Sequence, residues 1–98
     1  MQRVERLETG RFDWDENKRV SNIRKSGVDF LDAAAGLLLP HLEMPSDKLE
    51  EARTKAICQI SSRIVVVIYT IRGDVCRIIS AWPADKNEQR AYRHIFGG

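Results

Sequence analysis

The longest apolar stretch of the chain runs from Ile64 to Ala81 and is interrupted once, at Arg72-Gly73-Asp74. β-Branched residues dominate both halves, and a glycine-containing break between two such runs predicts a β-hairpin. Positions 64–68 are apolar without alternation, which predicts a strand in the middle of a sheet with both faces covered. The first candidates for chemistry are the polar exceptions near the turn end of this hairpin, which are Tyr69, Arg72 and Arg77.

Capping residues around stretches with helical spacing of apolar side chains predict three helices. Asp15 can cap the first helix, because its carboxylate accepts amide hydrogens of the first turn, and Gly27 stands where a helix ends in a left-handed residue. A second helix is expected from Asp29 until Pro40 stops it. The motif Asp85-x-x-Glu88 predicts the capping box of a last helix.

The remaining segments predict short strands and connections. Residues 11–14 alternate polar and aromatic side chains, residues 41–47 contain Pro45 and are expected to form at most an edge strand, and residues 53–60 alternate as a strand. Residues 47–52 are expected to be a polar connection, and residues 1–11 a mobile lead-in. The predicted fold is therefore α+β, with two N-terminal helices, an antiparallel meander of three or four strands and a C-terminal helix, in a single domain over residues 12–98.

Composition places the chain among ordinary globular domains, with 98 residues of which 43% are hydrophobic and 31% charged. No apolar run is long enough to span a bilayer and no signal peptide is visible, so a cytoplasmic location is expected. Cys58 and Cys76 fit neither a disulfide framework nor a zinc motif, and they are expected to be small buried thiols rather than a redox pair.

Charge is distributed unevenly along the chain. Eight cations face eleven acids up to Ala52, whereas eight cations face three acids from Arg53 onward. A basic second half is compatible with a polyanionic ligand.

The register of the hairpins decides which polar side chains meet. Three-residue loops would place Lys55 opposite Tyr69 and Tyr69 opposite Arg77, so that the three would form one row on one face of the sheet. A two-residue loop at Gly73-Asp74 is the alternative, and it would move Arg77 to the opposite face. We predict the first register, with Arg53 and Arg72 near the same end of the sheet.

A row of two cations and a phenol could bind and cleave a phosphodiester. Guanidinium groups offer a planar fork to phosphate oxygens, and a tyrosine can donate a proton or stack on a base. RNA cleavage without a metal needs only activation of the 2′-hydroxyl, neutralisation of charge and protonation of the leaving oxygen. The alternative is a half-buried sheet tyrosine with solvated arginines around it.

Two ordered blocks of residues resemble one known family. The first block is Phe12-x-Trp14-Asp15-x-x-Lys18, then Asn22, then Lys25-x-Gly27-Val28-x-Phe30. The second is Val67-Ile68-Tyr69-Thr70-x-Arg72, then Arg77-Ile78-Ile79-Ser80-Ala81, with Glu88 and Tyr92 in the last helix. On these residues the chain resembles the BrnT ribonuclease toxins of bacterial type II toxin–antitoxin pairs. The resemblance implies a RelE-like fold, metal-independent RNA cleavage that halts translation, and neutralisation by a DNA-binding antitoxin.

The resemblance also suggests which residues act. The expected catalytic residues are Arg53, Tyr69, Arg72 and Arg77, and the expected RNA-binding residues are Lys18 and Lys25, to which the predicted row adds Lys55. No metal or other cofactor is expected, and no general base is assigned. The expected partners are RNA and a cognate ribbon-helix-helix antitoxin, in a heterotetramer with the antitoxin or in a homodimer, without a membrane.

The chain departs from the family pattern at two places. Ser26 stands where the family usually has histidine, and Trp82-Pro83 stand where it usually has arginine and often a second basic residue. A non-catalytic toxin homologue that binds its antitoxin or RNA is therefore a second hypothesis. A third is a subunit with an apolar sheet interface, because the predicted register leaves four apolar residues on the Tyr69 face: Ile57, Val65, Val67 and Ile79.

Overall fold

The structure is a computed structural model that describes residues 1–46 and 52–97. Its described strands are β1 (Gln2–Val4), β2 (Arg11–Asp13), β3 (His41–Ser46), β4 (Arg53–Ile60), β5 (Arg63–Arg72) and β6 (Val75–Pro83). Its described helices are α1 (Glu16–Ser26), α2 (Phe30–Leu37) and α3 (Lys86–Phe96). The polar connection predicted for residues 47–52 lies, up to residue 51, outside the described residues, as does Gly98.

The strands form one mixed sheet in the order β1-β3-β4-β5-β6-β2. Strands β3 to β6 form an antiparallel meander of four strands, where three or four were predicted, and β5 is an inner strand whose residues 64–70 are all buried. The α+β class is therefore confirmed. The prediction missed β1 and the parallel pairing of β2 with β6, because strands of three residues are too short to show a period.

The N-terminal residues, expected to be a mobile lead-in, take part in this sheet. Strand β1 pairs antiparallel with His41–Ser46, and Leu7 is buried and donates its backbone amide to the Leu37 carbonyl at 2.9 Å. Strand β3 is consequently not an edge strand along its first half. Pro45 lies beyond the reach of β1, so its missing N–H costs no bond to that strand.

The predicted helix caps are confirmed. Asp15 accepts from the Lys18 amide and Gly27 adopts φ +70°, which ends α1 in the left-handed conformation. Asp29 accepts from the Leu31 amide at the start of α2. Asp85 and Glu88 form the reciprocal capping box of α3. Among the described residues, no helix has the length and apolar character needed to cross a membrane.

The predicted three-residue register is wrong, because both hairpin loops contain two residues. Ile60 pairs with Arg63 around Ser61-Ser62, and Arg72 pairs with Val75 around Gly73-Asp74. Two-residue hairpin turns need positive φ, which Ser61 (54°) and Gly73 (63°) supply. The alternative register for the second hairpin is therefore the one observed.

Each face of the sheet has its own apolar cluster. On the face covered by α2, here called the α2 face, the cluster includes Phe30, Leu37, Ala56, Cys58, Val65, Val67, Tyr69, Ile78 and Ala81. On the opposite face, here called the α3 face, it includes Leu42, Ile57, Ile64, Val66, Ile68 and Tyr92. Ile57, Val65 and Val67 are fully buried and are divided between the two faces, so the predicted exposed apolar interface is wrong.

Strand β6 contains one extra residue. Ile68 pairs with Ser80, whereas the next residue, Tyr69, pairs with Ile78, so that Ile79 is the unpaired residue of a β-bulge. Because side chains alternate along a strand, the bulge changes which residues share a face. Arg77 and Trp82 are five positions apart and would lie on opposite faces of a regular strand, but the bulge puts both on the α3 face.

The two cysteines are small buried thiols, as predicted. Cys58 and Cys76 are both free and fully buried on the α2 face. Burial raises the pKa of each thiol to about 12, and the nearby Glu43 carboxylate adds to the shift. Both sulfurs are therefore protonated at neutral pH and poor nucleophiles.

Candidate functional site

A row of polar side chains crosses the α3 face where the strands run beyond α3. Ser46 lies opposite Arg53, Thr70 lies opposite Arg77, and Arg77 lies opposite Asp13. The Thr54–Tyr69 pair puts Arg53 opposite Thr70, one step further along the two strands. Thr70 therefore lies between Arg53 and Arg77, whose Cα atoms are about 10 Å apart because two strand spacings separate them. Residues opposite each other across strands lie on one face, so the row presents two guanidinium groups together.

Lys55 and Arg72 extend this cationic surface along the sheet. Lys55 occupies the next row of the α3 face, and its ammonium group lies 2.5 Å from the Glu88 carboxylate of α3. Arg72 occupies the end of β5, two residues beyond Thr70 and exposed. We call the set of Arg53, Lys55, Arg72 and Arg77 the cation row. Helix α3 stops at its edge, so the cations border the open part of this face.

Tyr69 does not belong to the cation row. The observed register places it opposite Thr54 and Ile78, on the α2 face, where its side chain is buried. Its hydroxyl donates to the Glu43 carboxylate at 2.8 Å. Burial, together with this bond and the charge of Glu43, raises the pKa of Tyr69. The predicted row of Lys55, Tyr69 and Arg77 on one face is therefore wrong.

Glu43 and His41 complete a buried polar network around Tyr69 that sequence reasoning missed. His41 is fully buried, and its ring nitrogens face the Leu39 carbonyl at 2.7 Å and the Glu43 carboxylate at 2.8 Å. His41 and Glu43 are two residues apart on one strand, and that spacing was the available signal for a shared face. The hydrogen bond from His41 lowers the pKa of Glu43 against the opposing effect of burial, and Tyr69 lowers it further.

Replacing Glu43 by glutamine tests this network through its pH dependence. A carboxyl group with a lowered folded-state pKa stabilises the fold above its ordinary value of 4.5, and this stabilisation is lost as the pH falls through the folded-state pKa. We expect Glu43→Gln to lower the free energy of unfolding at pH 7 by about 1–3 kcal/mol and to flatten the loss of stability in acid. Urea unfolding at a series of pH values measures both effects. The exposed Glu5, paired with Arg3, supplies the control Glu5→Gln, and equal acid profiles for all three proteins would contradict the assignment.

Lys18 and Lys25 lie apart from the cation row, on α1. Both are exposed and line a groove of about 210 Å³ between α1 and β6. The sheet side of the groove is formed by Ile79 and Ser80, at the bulge. The groove therefore reaches the same strand segment that carries Arg77, although the structure does not bring the lysines into contact with it.

Asn22 fixes α1 to the sheet. Its amide nitrogen donates to the carbonyls of Ala81 and Val28, each at 2.8 Å, and its amide oxygen accepts from the Ala81 amide at 3.2 Å. One side chain thus satisfies both backbone groups of Ala81, as a neighbouring strand would. The two departures from the family pattern lie on either side of this contact, with Ser26 in the groove and Trp82 on the α3 face.

Two carboxylates accompany the cations on the α3 face, and the sequence analysis assigned a catalytic or binding role to neither. Both carboxylate oxygens of Glu88 already have partners, because one accepts from the Asp85 amide at 2.8 Å and the other pairs with Lys55. Asp13 lies 3.3 Å from the Arg77 guanidinium and remains 53% exposed, so it is accessible to a ligand on the cation row. Within residues 1–46 and 52–97, no group of three or more His, Cys, Asp or Glu side chains could hold a metal ion.

The fold and this surface define a small α+β protein with a cation-lined sheet face. Comparison with protein families shows which one it is: residues 14–88 match the family described as "Ribonuclease toxin, BrnT, of type II toxin-antitoxin system", and the chain belongs to that family. The predicted resemblance is thereby confirmed. A comparison with curated proteins found no match. Membership implies an RNA target and an antitoxin partner.

Proposed function

We propose that the protein is a metal-independent endoribonuclease whose active surface is the cation row. The observation that carries this proposal is the placement of Arg53 and Arg77 on either side of Thr70, on one face, within a chain of the ribonuclease toxin family. Arginine side chains are long enough for two guanidinium groups on strands two spacings apart to contact the same phosphodiester. They would stabilise the negative charge that develops on the phosphate oxygens in the transition state.

We assign the general base role to Asp13. The ribose 2′-hydroxyl attacks the adjacent phosphorus, its proton passes to the Asp13 carboxylate, and the bond from phosphorus to the 5′-oxygen breaks. The leaving oxygen takes a proton from solvent, which yields a cyclic phosphate and a 5′-hydroxyl. Asp13 suits this role because it adjoins Arg77 and is half-exposed. Tyr69 has no part in the step, because its hydroxyl is on the other face.

Membership of the family supports a more specific proposal about the partners. We propose that the antitoxin is a ribbon-helix-helix protein that represses its own operon and neutralises the toxin in the cytoplasm, where the RNA substrate is found. An acidic segment would be the natural counterpart of the cation row, since it would neutralise the charges that hold the phosphate.

The direct test is expression without antitoxin, together with a cleavage assay. We expect growth arrest on induction, and cleavage of single-stranded RNA by the purified protein in the presence of EDTA. RNA in which every 2′-hydroxyl is replaced by fluorine should bind and stay intact, because the nucleophile is missing. Normal growth and intact RNA from a folded protein would reject the proposal, and cleavage that EDTA abolishes would reject metal independence.

A weakened homologue that binds its antitoxin or RNA without cutting is the second candidate. The observation in its favour is Trp82, an apolar side chain on the α3 face at the position where the family usually has a cation. Restoring that cation with Trp82→Arg would raise cleavage if this candidate is correct. Unchanged or lower cleavage in the variant would favour the active nuclease.

A further inference from the structure

We propose that Trp82 is a stacking platform for an RNA base beside the cation row. This inference rests on the proposed function, since it assigns to the same surface a contact with the base rather than with the phosphate. It also gives Trp82 a positive role in place of the missing cation.

The β-bulge is what brings Trp82 to this surface. Trp82 lies opposite Val66, a member of the apolar cluster on the α3 face, and Ser80 lies opposite Ile68 of the same cluster. Arg77, Ser80 and Trp82 therefore follow one another on one face of β6. From Arg77 to Trp82 the strand covers at most about 16 Å, which is a span of a few nucleotides.

The indole is available for a ligand. Trp82 is 36% exposed, whereas Ile79, three positions earlier on β6, packs against the apolar cluster of the α3 face. Within residues 1–46 and 52–97, the indole N–H has no hydrogen-bond partner. Trp14 provides the contrast, because it packs edge-on against the buried Phe30 with ring centroids 6.2 Å apart. Trp14 belongs to the core, whereas Trp82 offers an open aromatic surface.

Cations border this aromatic surface toward the Arg77 end of β6. The cation row is on the α3 face, and the groove that carries Lys18 and Lys25 reaches β6 at Ile79 and Ser80. An aromatic ring beside phosphate-binding cations is an arrangement that proteins use for single-stranded nucleic acid, because every base has a π-face. Such stacking is tolerant of sequence, so Trp82 would hold the RNA in register without selecting one base.

Tryptophan fluorescence tests the contact directly. Trp14→Phe leaves Trp82 as the single tryptophan of the chain, since the sequence contains two. We would titrate this variant with a single-stranded 2′-fluoro RNA, and with the same oligonucleotide carrying abasic sites. We expect the base-containing RNA to quench the emission and the abasic RNA to leave it nearly unchanged.

Affinity measurements with Trp82 variants complete the test. Trp82→Ala should weaken binding of the base-containing RNA by about 5- to 150-fold and that of the abasic RNA by less than about twofold. Trp82→Phe should keep most of the affinity, because it retains an aromatic face. Because Trp82 is only 36% exposed, Trp82→Ala should melt below the parent protein and is assayed well below its melting temperature, whereas Trp82→Phe should melt closer to the parent.

The outcomes separate this inference from the nuclease proposal. Equal losses on both oligonucleotides, no loss on either, or no quenching would overturn the stacking role, and retained cleavage of ordinary RNA would leave the nuclease intact. Base-dependent binding through Trp82 without any cleavage would support stacking and reject the nuclease. Absence of RNA binding would overturn both. A variant that loses its antitoxin but not RNA would show that Trp82 docks protein instead.

Discussion

Replacing Arg77 by alanine is expected to slow RNA cleavage by about 100- to 1,000-fold, the usual cost of losing one charge-stabilising donor at a transition state. Arg77 stands opposite Thr70 with its side chain 30% exposed, so its guanidinium can reach a phosphate on the cation row. The fold should be little affected, because its pair with Asp13 is half-exposed and such pairs contribute at most about 1 kcal/mol.

Single-turnover cleavage under saturating enzyme measures this effect apart from binding. Arg90→Ala is the matched control, because Arg90 is exposed on α3 and its guanidinium lies 3.4 Å from the Asn87 amide oxygen. The control removes the same charge and should cleave like the parent protein. A rate for Arg77→Ala within a factor of a few of the control would remove Arg77 from the active surface.

Replacing Asp13 by asparagine is expected to reduce the cleavage rate by about 100- to 10,000-fold, the range for loss of a positioned general base. The change is isosteric and removes the group that would take the 2′-hydroxyl proton. It also removes an anion next to Arg77, so RNA should bind equally well or more tightly. A slower rate with tighter binding is the signature that a purely structural role for Asp13 would not produce.

The pair of Asp74 with Arg11 offers a control of the same chemistry. The Arg11 guanidinium lies 2.7 Å from the Asp74 carboxylate, and the Asp74 side chain is 71% exposed in the turn between β5 and β6. Asp74→Asn removes one carboxylate from an arginine pair without touching the cation row, and it should leave the cleavage rate unchanged. If Asp13→Asn and Asp74→Asn behave alike, the base lies elsewhere.

Local patterns in the sequence predicted the parts of the fold that depend on local interactions. The unbroken apolar run of β5 was enough to place it inside the sheet, since only a strand covered on both faces needs such a run. The caps at Asp15, Asp29 and Asp85 were predictable because a cap is formed within a few residues of chain.

The candidate site depended on non-local pairing, which the sequence alone did not determine. A shift from three-residue to two-residue loops moved Tyr69 to the α2 face and left Arg53, Lys55 and Arg77 together. Glycine at position 73 is compatible with a two-residue loop and with a three-residue loop, so no single residue indicated which loop forms. Asp13 escaped notice because β2 reaches β6 only through a parallel pairing distant in sequence.

The extra residue at Ile79 also bears on how relatives of this protein are compared. An alignment that runs through residues 77–82 without regard to the bulge treats a continuous segment as one regular strand. Side chains alternate between the two faces of the sheet, and this alternation shifts by one residue at Ile79. A gap or insertion there therefore assigns every later side chain of the strand to the wrong face. Relatives are therefore best aligned in two parts, backward along the chain from Ile78 and forward from Ser80. The residue that corresponds to Trp82 is then found in the second part.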